Sequence, residues 1–368
     1  MKFLSILVKP VSGLCNIDCK YCFYKELNDG TCGEKCMSDE VMKQLIEKAA
    51  ESGAKEILFA FQGGEPFLAG EAFYERFITY ARKKIVHAKV SYSIQTNGTL
   101  LSERYIQILR DNHFLVGISL DGPKYIQDKY RQSCQGEGTF ETVIENAKRM
   151  MQEGIPVNIL TVITKYSALR AKKMYQFYKK AGFEYLQFIP CMDSRTEVQG
   201  SGDESLDPES YYKFLKELFS CWYEDFMQGE YISIRHFDNW VRLLMGQPVD
   251  TCSMNGRCGS YFVVERDGTV YPCDFYADSE HYLGTIVLDN FDELLKRLEQ
   301  GSFLTESVEK RSEKCDVCSN EDLCHGGCKR DWVWEKQQGR SRYCEALNCF
   351  FTEHRKQIRQ IGQLLRSM

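Results

Sequence analysis

Three cysteines stand within eight residues of one another as Cys15-x3-Cys19-x2-Cys22. Three thiolates in so short a segment can each hold one iron of a 4Fe–4S cluster and leave the fourth iron open to a small molecule. Zinc with three thiolates and one water is the competing chemistry. A second array fills the C-terminal third: Cys252-x5-Cys258-x14-Cys273, then Cys315-x2-Cys318-x5-Cys324-x3-Cys328, then Cys344. Those eight thiols suffice for two fully ligated clusters or two zinc sites, a zinc ribbon from Cys315, Cys318, Cys324 and Cys328 being the plainer alternative. The chain carries 17 cysteines in 368 residues. That is too sparse for a small disulfide scaffold, and a chain this long can build a core without staples, so metal or redox chemistry is the better reading.

Further groups with chemical potential follow strand-like runs. In Gly63-Gly64-Glu65-Pro66 two glycines let backbone carbonyls approach a ligand ammonium, and Glu65 is an acceptor beside them. Gln95-Thr96-Asn97-Gly98 reads locally as turn chemistry. Arg131 is either an anion partner or a solvated side chain at a helix end. Asp274 directly follows Cys273, where it is a turn residue or, with a substrate proton in reach, a general base.

The elements that must position these groups alternate. Residues 5–9, 56–61, 90–95, 114–119, 157–163 and 185–189 are rich in β-branched and aromatic residues and read as strands. The near-continuous apolar run 57–61 suggests burial on both faces. Helices are expected between them: 38–52, with Met42, Leu45, Ile46 and Ala49 on one face; 102–112, with a serine cap; and 168–181, stopped by Gly182. Six strand-then-helix units imply a parallel sheet. After a polar stretch at 194–207, Asp207-Pro208 opens a helix through Phe226. Residues 261–265 and 269–271 around Asp267-Gly268 suggest a hairpin with a primed turn, and a last helix spans 350–365. Acidic residues exceed basic ones, 52 to 47, for a net charge of −5, which argues against a nucleic-acid binder. No apolar run is long enough to cross a bilayer. Residues 1–10 resemble a signal peptide superficially, but Pro10 and the lack of a small-x-small site favour a first strand, and the expected location is the cytoplasm.

Cys-x3-Cys-x2-Cys followed by Tyr21, Phe23 and Tyr24, together with Gly63-Gly64-Glu65-Pro66, resembles the radical S-adenosylmethionine (radical SAM) superfamily. The C-terminal cysteines are spaced as in the SPASM domain of peptide-modifying radical enzymes. Residues 22–24, 59–66, 95–100, 117–123, 186–189, 222–226, 235–238 and 271–276 resemble the anaerobic sulfatase-maturating enzymes in particular. Phe67 stands where that family usually has threonine, and residues 31–36 form an insert bearing Cys32 and Cys36.

The resemblance implies an α/β fold: a partial (β/α)6 TIM-like barrel with its following helical segment over 1–235, and a C-terminal iron–sulfur (SPASM) domain over 236–368. It implies three 4Fe–4S clusters. Cys15, Cys19 and Cys22 would hold the one that binds S-adenosylmethionine; Cys252, Cys258, Cys273 and Cys328 a second; Cys315, Cys318, Cys324 and Cys344 a third. Tyr21, Gly63, Gly64, Glu65, Ser119, Arg131 and Met192 would contact the cofactor, and Tyr24, Gln62 and Asn97 the substrate peptide. The implied reaction oxidises a Cys or Ser in a sulfatase, within Cys/Ser-x-Pro-x-Arg, to Cα-formylglycine. An adenosyl radical takes a β-hydrogen, Asp274 takes the thiol or hydroxyl proton, and the remaining electron leaves through an auxiliary cluster; the expected partner is an external electron donor such as flavodoxin or ferredoxin. A related maturase of a ribosomally made peptide, forming for example a thioether crosslink, is the alternative. Cys191 and Cys221 read as buried hydrophobes, while Cys32, Cys36, Cys134 and Cys349 have no assigned task.

Overall fold

The computed structural model describes residues 2–24, 36–193 and 198–367. Cys32, most of the 31–36 insert and the start of the 194–207 stretch lie outside the described residues. The chain forms two compact units that interleave in sequence: Met1–Leu120, Gln127–Asn158 and Ser260–Phe303 in the first, and Asp121–Ile126, Ile159–Gly259 and Leu304–Met368 in the second.

In the first unit the strands Phe3–Val8, Glu56–Phe61, Lys89–Thr96 and Leu115–Ser119 pair in parallel, in that order. Their register aligns Val8, Phe61, Ile94 and Val116 across the sheet, and all four are buried. Behind that row Phe77 packs edge-on at 5.0 Å from both Phe59 and Phe61. The expected burial on both faces is not what forms. Leu58 and Ala60 alternate with buried Ile57, Phe59 and Phe61 and are themselves only half-buried. The opposite face therefore stays partly open, and it is the face on which Gln95 lies. Helix Asp39–Glu51 follows its predicted pattern: Ser38 accepts from the Val41 amide, and Met42, Leu45, Ile46 and Ala49 are buried. Ser102 caps Glu103–Asp111 in the same way.

The C-terminal hairpin belongs to this unit. Phe262–Val264 lies parallel to Phe3–Val8, and Thr269–Tyr271 is antiparallel to Phe262–Val264. Its turn is not of the primed type. The Glu265 amide donates to Thr269 O at 3.0 Å, enclosing three residues of which Gly268 alone has positive φ, at +88°. This is a three-residue loop with a left-handed glycine. A two-residue primed turn does occur at Lys336-Gln337, with φ of +48° and +67°, between Trp332–Glu335 and Gln338–Ser341. Neither residue type announces it.

In the second unit Tyr185–Pro190 pairs in parallel with Val157–Ile163 and with Ser233–Ile234. In place of the predicted helix 168–181 the chain forms Lys165–Ala168, opened by a capping box between Thr164 and Ser167, and then Ala171–Ala181. Gly182 ends the second piece at φ +81°. Asp207 caps Pro208–Met227, accepting from the Ser210 amide. The final helix begins earlier than expected and covers Cys344–Ser367. Phe350 packs 5.5 Å from Phe219 and 5.2 Å from Trp240, pinning that helix to its neighbours. Among the described residues no helix is long and apolar enough to cross a membrane.

Candidate functional site

The three-cysteine loop of the first unit leaves strand Phe3–Val8 and lies against the Gly63-Gly64-Glu65 turn. The Gly64 amide donates to Ser12 O at 2.6 Å and the Glu65 amide to Leu14 O at 2.8 Å. A Cβ on Gly64 would stand 1.9 Å from Leu14 O, and one on Gly63, where φ is +138°, 2.7 Å from Ser12 O. Both glycines are thus required by the approach of the cysteine loop itself.

Glu65 ties this turn to the next. Its side chain is wholly buried and accepts from the Phe67 amide at 3.0 Å, the Thr96 hydroxyl at 2.8 Å and the Asn97 amide at 2.7 Å. Burial outweighs these donors and lifts its carboxyl to about 7. Between its ordinary 4.5 and about 7, the folded protein holds a proton that the unfolded chain has released. Stability of the metal-free protein therefore falls as pH rises through that window. Denaturant titrations across it are expected to show that slope, and Glu65→Gln to remove it at a cost of roughly 1–3 kcal/mol, because an amide N–H2 must then face a backbone donor.

Asn97 turns toward the thiols. Its Nδ2 lies 3.7 Å from Cys15 Sγ and donates to Asn16 Oδ1 at 2.9 Å, while Thr99 closes the ring by donating to Asn97 Oδ1. Burial pushes the Cys15 thiol up to about 11. Cys19 pairs with Arg131 across the short ladder of Ile17–Cys19 with Arg131–Ser133. Arg131 is 7% exposed, not solvated; its Nη1 is 3.8 Å from Cys19 Sγ and its guanidinium 5.4 Å from the Tyr21 ring centroid. Ser119 is buried and Met192, in the second unit, is half-buried.

Of the residues expected to meet a peptide, Gln62 donates to Gln95 Oε1 at 3.1 Å. Tyr24 is 3% exposed; its hydroxyl donates to Glu265 at 2.6 Å and the Lys9 ammonium sits 3.6 Å over its ring. Phe67 fills the core against Tyr105, with ring centroids 4.2 Å apart. Asp274 is buried, its Oδ1 accepting from the Tyr261 hydroxyl at 3.1 Å, and the same hydroxyl lies 3.1 Å from Cys273 Sγ. Tyr261, Asn16 and Thr99 were not legible as site residues; only the pairing register and the approach of separate loops bring them in.

In the second unit one cavity is lined by Cys315, Cys318, Cys324 and Cys344, with Arg340 and Asn348. Cys328 is not among its walls. The Gly326 amide donates to the Cys324 sulfur, whose thiol burial pushes up to about 12. Cys252, Cys258 and Cys328 lie in this unit and Cys273 in the first. Cys191 is buried as expected, but Cys221 is only half-buried, beside the buried stripe of its helix. Among the described residues no cysteines form a disulfide, and none join three or more His, Cys, Asp or Glu around a single ion.

Residues 10–178 match the model of the radical SAM superfamily, and 252–320 that of an iron–sulfur cluster-binding domain, SPASM. A cysteine-type anaerobic sulfatase-maturating enzyme of Clostridium novyi is 38% identical over 370 residues, 99% of each chain. One of Clostridium perfringens is 40% identical over 353 residues, 95% of each chain.

The chain belongs to the anaerobic sulfatase-maturating enzymes. A solved structure of this family, native anSMEcpe with bound AdoMet and Cp18Cys peptide, superposes with a TM-score of 0.92 at 38% identity, covering 99% of both chains. The α/β radical SAM fold with an iron–sulfur domain, expected from the motifs, is the fold found. Like other anaerobic sulfatase-maturating enzymes it is a radical SAM oxidoreductase that matures sulfatases.

Proposed function

We propose that the enzyme binds S-adenosylmethionine and three 4Fe–4S clusters and oxidises a cysteine in a Cys-x-Pro-x-Arg segment of a sulfatase to Cα-formylglycine. The observation that carries the cysteine preference is near-full-length identity of 38% and 40% to two relatives named cysteine-type. The same full-length likeness favours a sulfatase over a ribosomally made peptide as substrate.

The donor sets suit the clusters. Cys15, Cys19 and Cys22 are the ligands assigned to the cluster that leaves an iron open; Cys315, Cys318, Cys324 and Cys344, which share one cavity, are assigned to a second; and Cys252, Cys258, Cys273 and Cys328 are assigned to the third by the family resemblance. Buried thiols with raised pKa values, such as Cys15 and Cys324, ionise readily only with a metal as counter-charge. The amides of Ile17 and Gly326 and the Asn97 side chain aim at these sulfurs, the kind of contact that sets a cluster's potential. Tyr21, Ser119, Arg131, Met192 and the backbone of Gly63 and Gly64 are assigned to the cofactor, while Glu65 holds that backbone in place. Tyr24, Gln62 and Asn97 are assigned to the peptide, Tyr24 being held by Glu265 and Lys9.

When bound, these groups supply removal of a β-hydrogen atom from the target residue and a sink for the electron left behind. Asp274 takes the thiol proton. Its Oδ1 is engaged by Tyr261, so Oδ2 is the accepting atom. Loss of one hydrogen atom, one proton and one electron turns the cysteine side chain into a thioaldehyde, and water converts this to the aldehyde with release of hydrogen sulfide. We place the enzyme in the cytoplasm, away from membrane and nucleic acid, with a flavodoxin- or ferredoxin-type donor as electron carrier.

Competition between Cys-x-Pro-x-Arg and Ser-x-Pro-x-Arg peptides tests the assignment. The cysteine peptide is expected to give the larger kcat/KM for aldehyde formation; preference for serine overturns the cysteine assignment, and oxidation of neither overturns the substrate class.

A further inference from the structure

The hairpin that carries Cys273 and Asp274 also presents a third polar group to both. Val263 pairs with Tyr271 across the antiparallel ladder. Moving two residues outward on each strand places Tyr261 opposite Cys273, on the same face. The consequence is a fork: the Tyr261 hydroxyl stands 3.1 Å from Cys273 Sγ and 3.1 Å from Asp274 Oδ1, and those two atoms are 3.8 Å apart.

We propose that Tyr261 is a positioning residue that ties the proton-accepting carboxylate of Asp274 to the cluster-ligating sulfur of Cys273. This rests on the assignment of Asp274 as base and Cys273 as ligand made above. A phenol has one proton to donate. A sulfur bound to iron is a thiolate and, like a carboxylate, offers only acceptor sites, so the single O–H serves two acceptors on adjacent residues. Toward Asp274 it fixes Oδ1 and thereby the rotation of the carboxylate, which leaves Oδ2 aimed for proton transfer. Toward Cys273 it supplies a donor to a cluster sulfur, and such donors stabilise the more negative, reduced state and raise the potential. One side chain thus holds the acceptor of the proton and tunes the acceptor of the electron.

The test uses the holoenzyme with iron and sulfide per chain measured first. Tyr261→Phe, which keeps the ring and removes the fork, is expected to lower kcat for aldehyde formation roughly tenfold, as loss of one hydrogen bond to a charged group does, with KM for the peptide unchanged. It is also expected to reduce the aldehyde formed per 5′-deoxyadenosine and to move one auxiliary-cluster midpoint potential to a more negative value in an EPR-monitored redox titration. Replacing Tyr261 by 3-fluorotyrosine, which retains the hydroxyl and makes it a stronger donor at almost no cost in volume, must move that potential the opposite way; this arm stands even where Tyr261→Phe loses iron. Unchanged potentials with either replacement, or an unchanged kcat in iron-replete Tyr261→Phe, overturn the role of Tyr261. Failure of the underlying reading looks different: Asp274→Asn then turns over normally, or Cys273→Ala keeps its full iron.

Discussion

Gly64→Ala strips the iron from the three-cysteine loop and abolishes cleavage of S-adenosylmethionine. The added Cβ would meet Leu14 O at 1.9 Å and Leu14 C at 2.4 Å, both backbone atoms held by the loop and unable to swing aside as a side chain does. To admit it the loop must retreat, breaking the Gly64 amide bond to Ser12 O and the Glu65 amide bond to Leu14 O. Cys15 follows Leu14 directly, so the displacement passes to a ligand with no flexible segment between. A shift of an ångström at a reacting centre costs about a hundredfold in rate, and the fall in 5′-deoxyadenosine formation is expected to be at least that large. Iron analysis of the purified variant should show the loss of one cluster's share, with the other two retained. A variant with full iron and normal deoxyadenosine formation would mean that the two loops do not depend on this contact.

Asp274→Asn separates radical formation from product formation. Asparagine has the size of aspartate and keeps an oxygen to accept from Tyr261, so the fork and the iron content survive, but its amide takes no proton. Aldehyde formation is expected to fall by about 10²–10⁴, the usual worth of a positioned general base, while 5′-deoxyadenosine continues to form in the presence of peptide. Mass spectrometry of the peptide and chromatography of the nucleoside, from the same reaction, read both. Undiminished peptide oxidation with all iron in place would assign the proton to another group or to water.

Much of this was legible in the sequence because the signals are local. Ser102 and Asp207 announce helix starts by their own side chains, the cysteine spacing announces a metal and its motif context iron, and the spacing of Met42, Leu45, Ile46 and Ala49 marks the buried face of Asp39–Glu51. What was hidden depends on register or on a second segment. The three-residue loop around Gly268 is one example: a two-residue turn at Asp267-Gly268 would shift the pairing by one position and set Tyr261 opposite Asp274 rather than Cys273. Nothing in the hairpin's composition distinguishes the two until the Glu265–Thr269 closure is seen. Gly63-Gly64 suggests room for a ligand, yet the first thing these glycines admit is the chain's own cysteine loop. Glu65 suggests an acceptor for a ligand, and the three donors it meets come from the protein. Cys315, Cys318, Cys324 and Cys344 come from separate short segments to line one cavity, an approach that spacing alone does not reveal.

On this reading the enzyme's radical opens the Cβ–H bond of a cysteine in a sulfatase segment. An anaerobic turnover with a Cys-x-Pro-x-Arg peptide deuterated at the cysteine β-carbon, read by mass spectrometry of both products, tests it most directly. An aldehyde-bearing peptide that retains one of its two β-deuterons is expected, together with 5′-deoxyadenosine that has gained a deuteron. Unlabelled deoxyadenosine beside an unchanged peptide, from protein that holds its clusters, would contradict it.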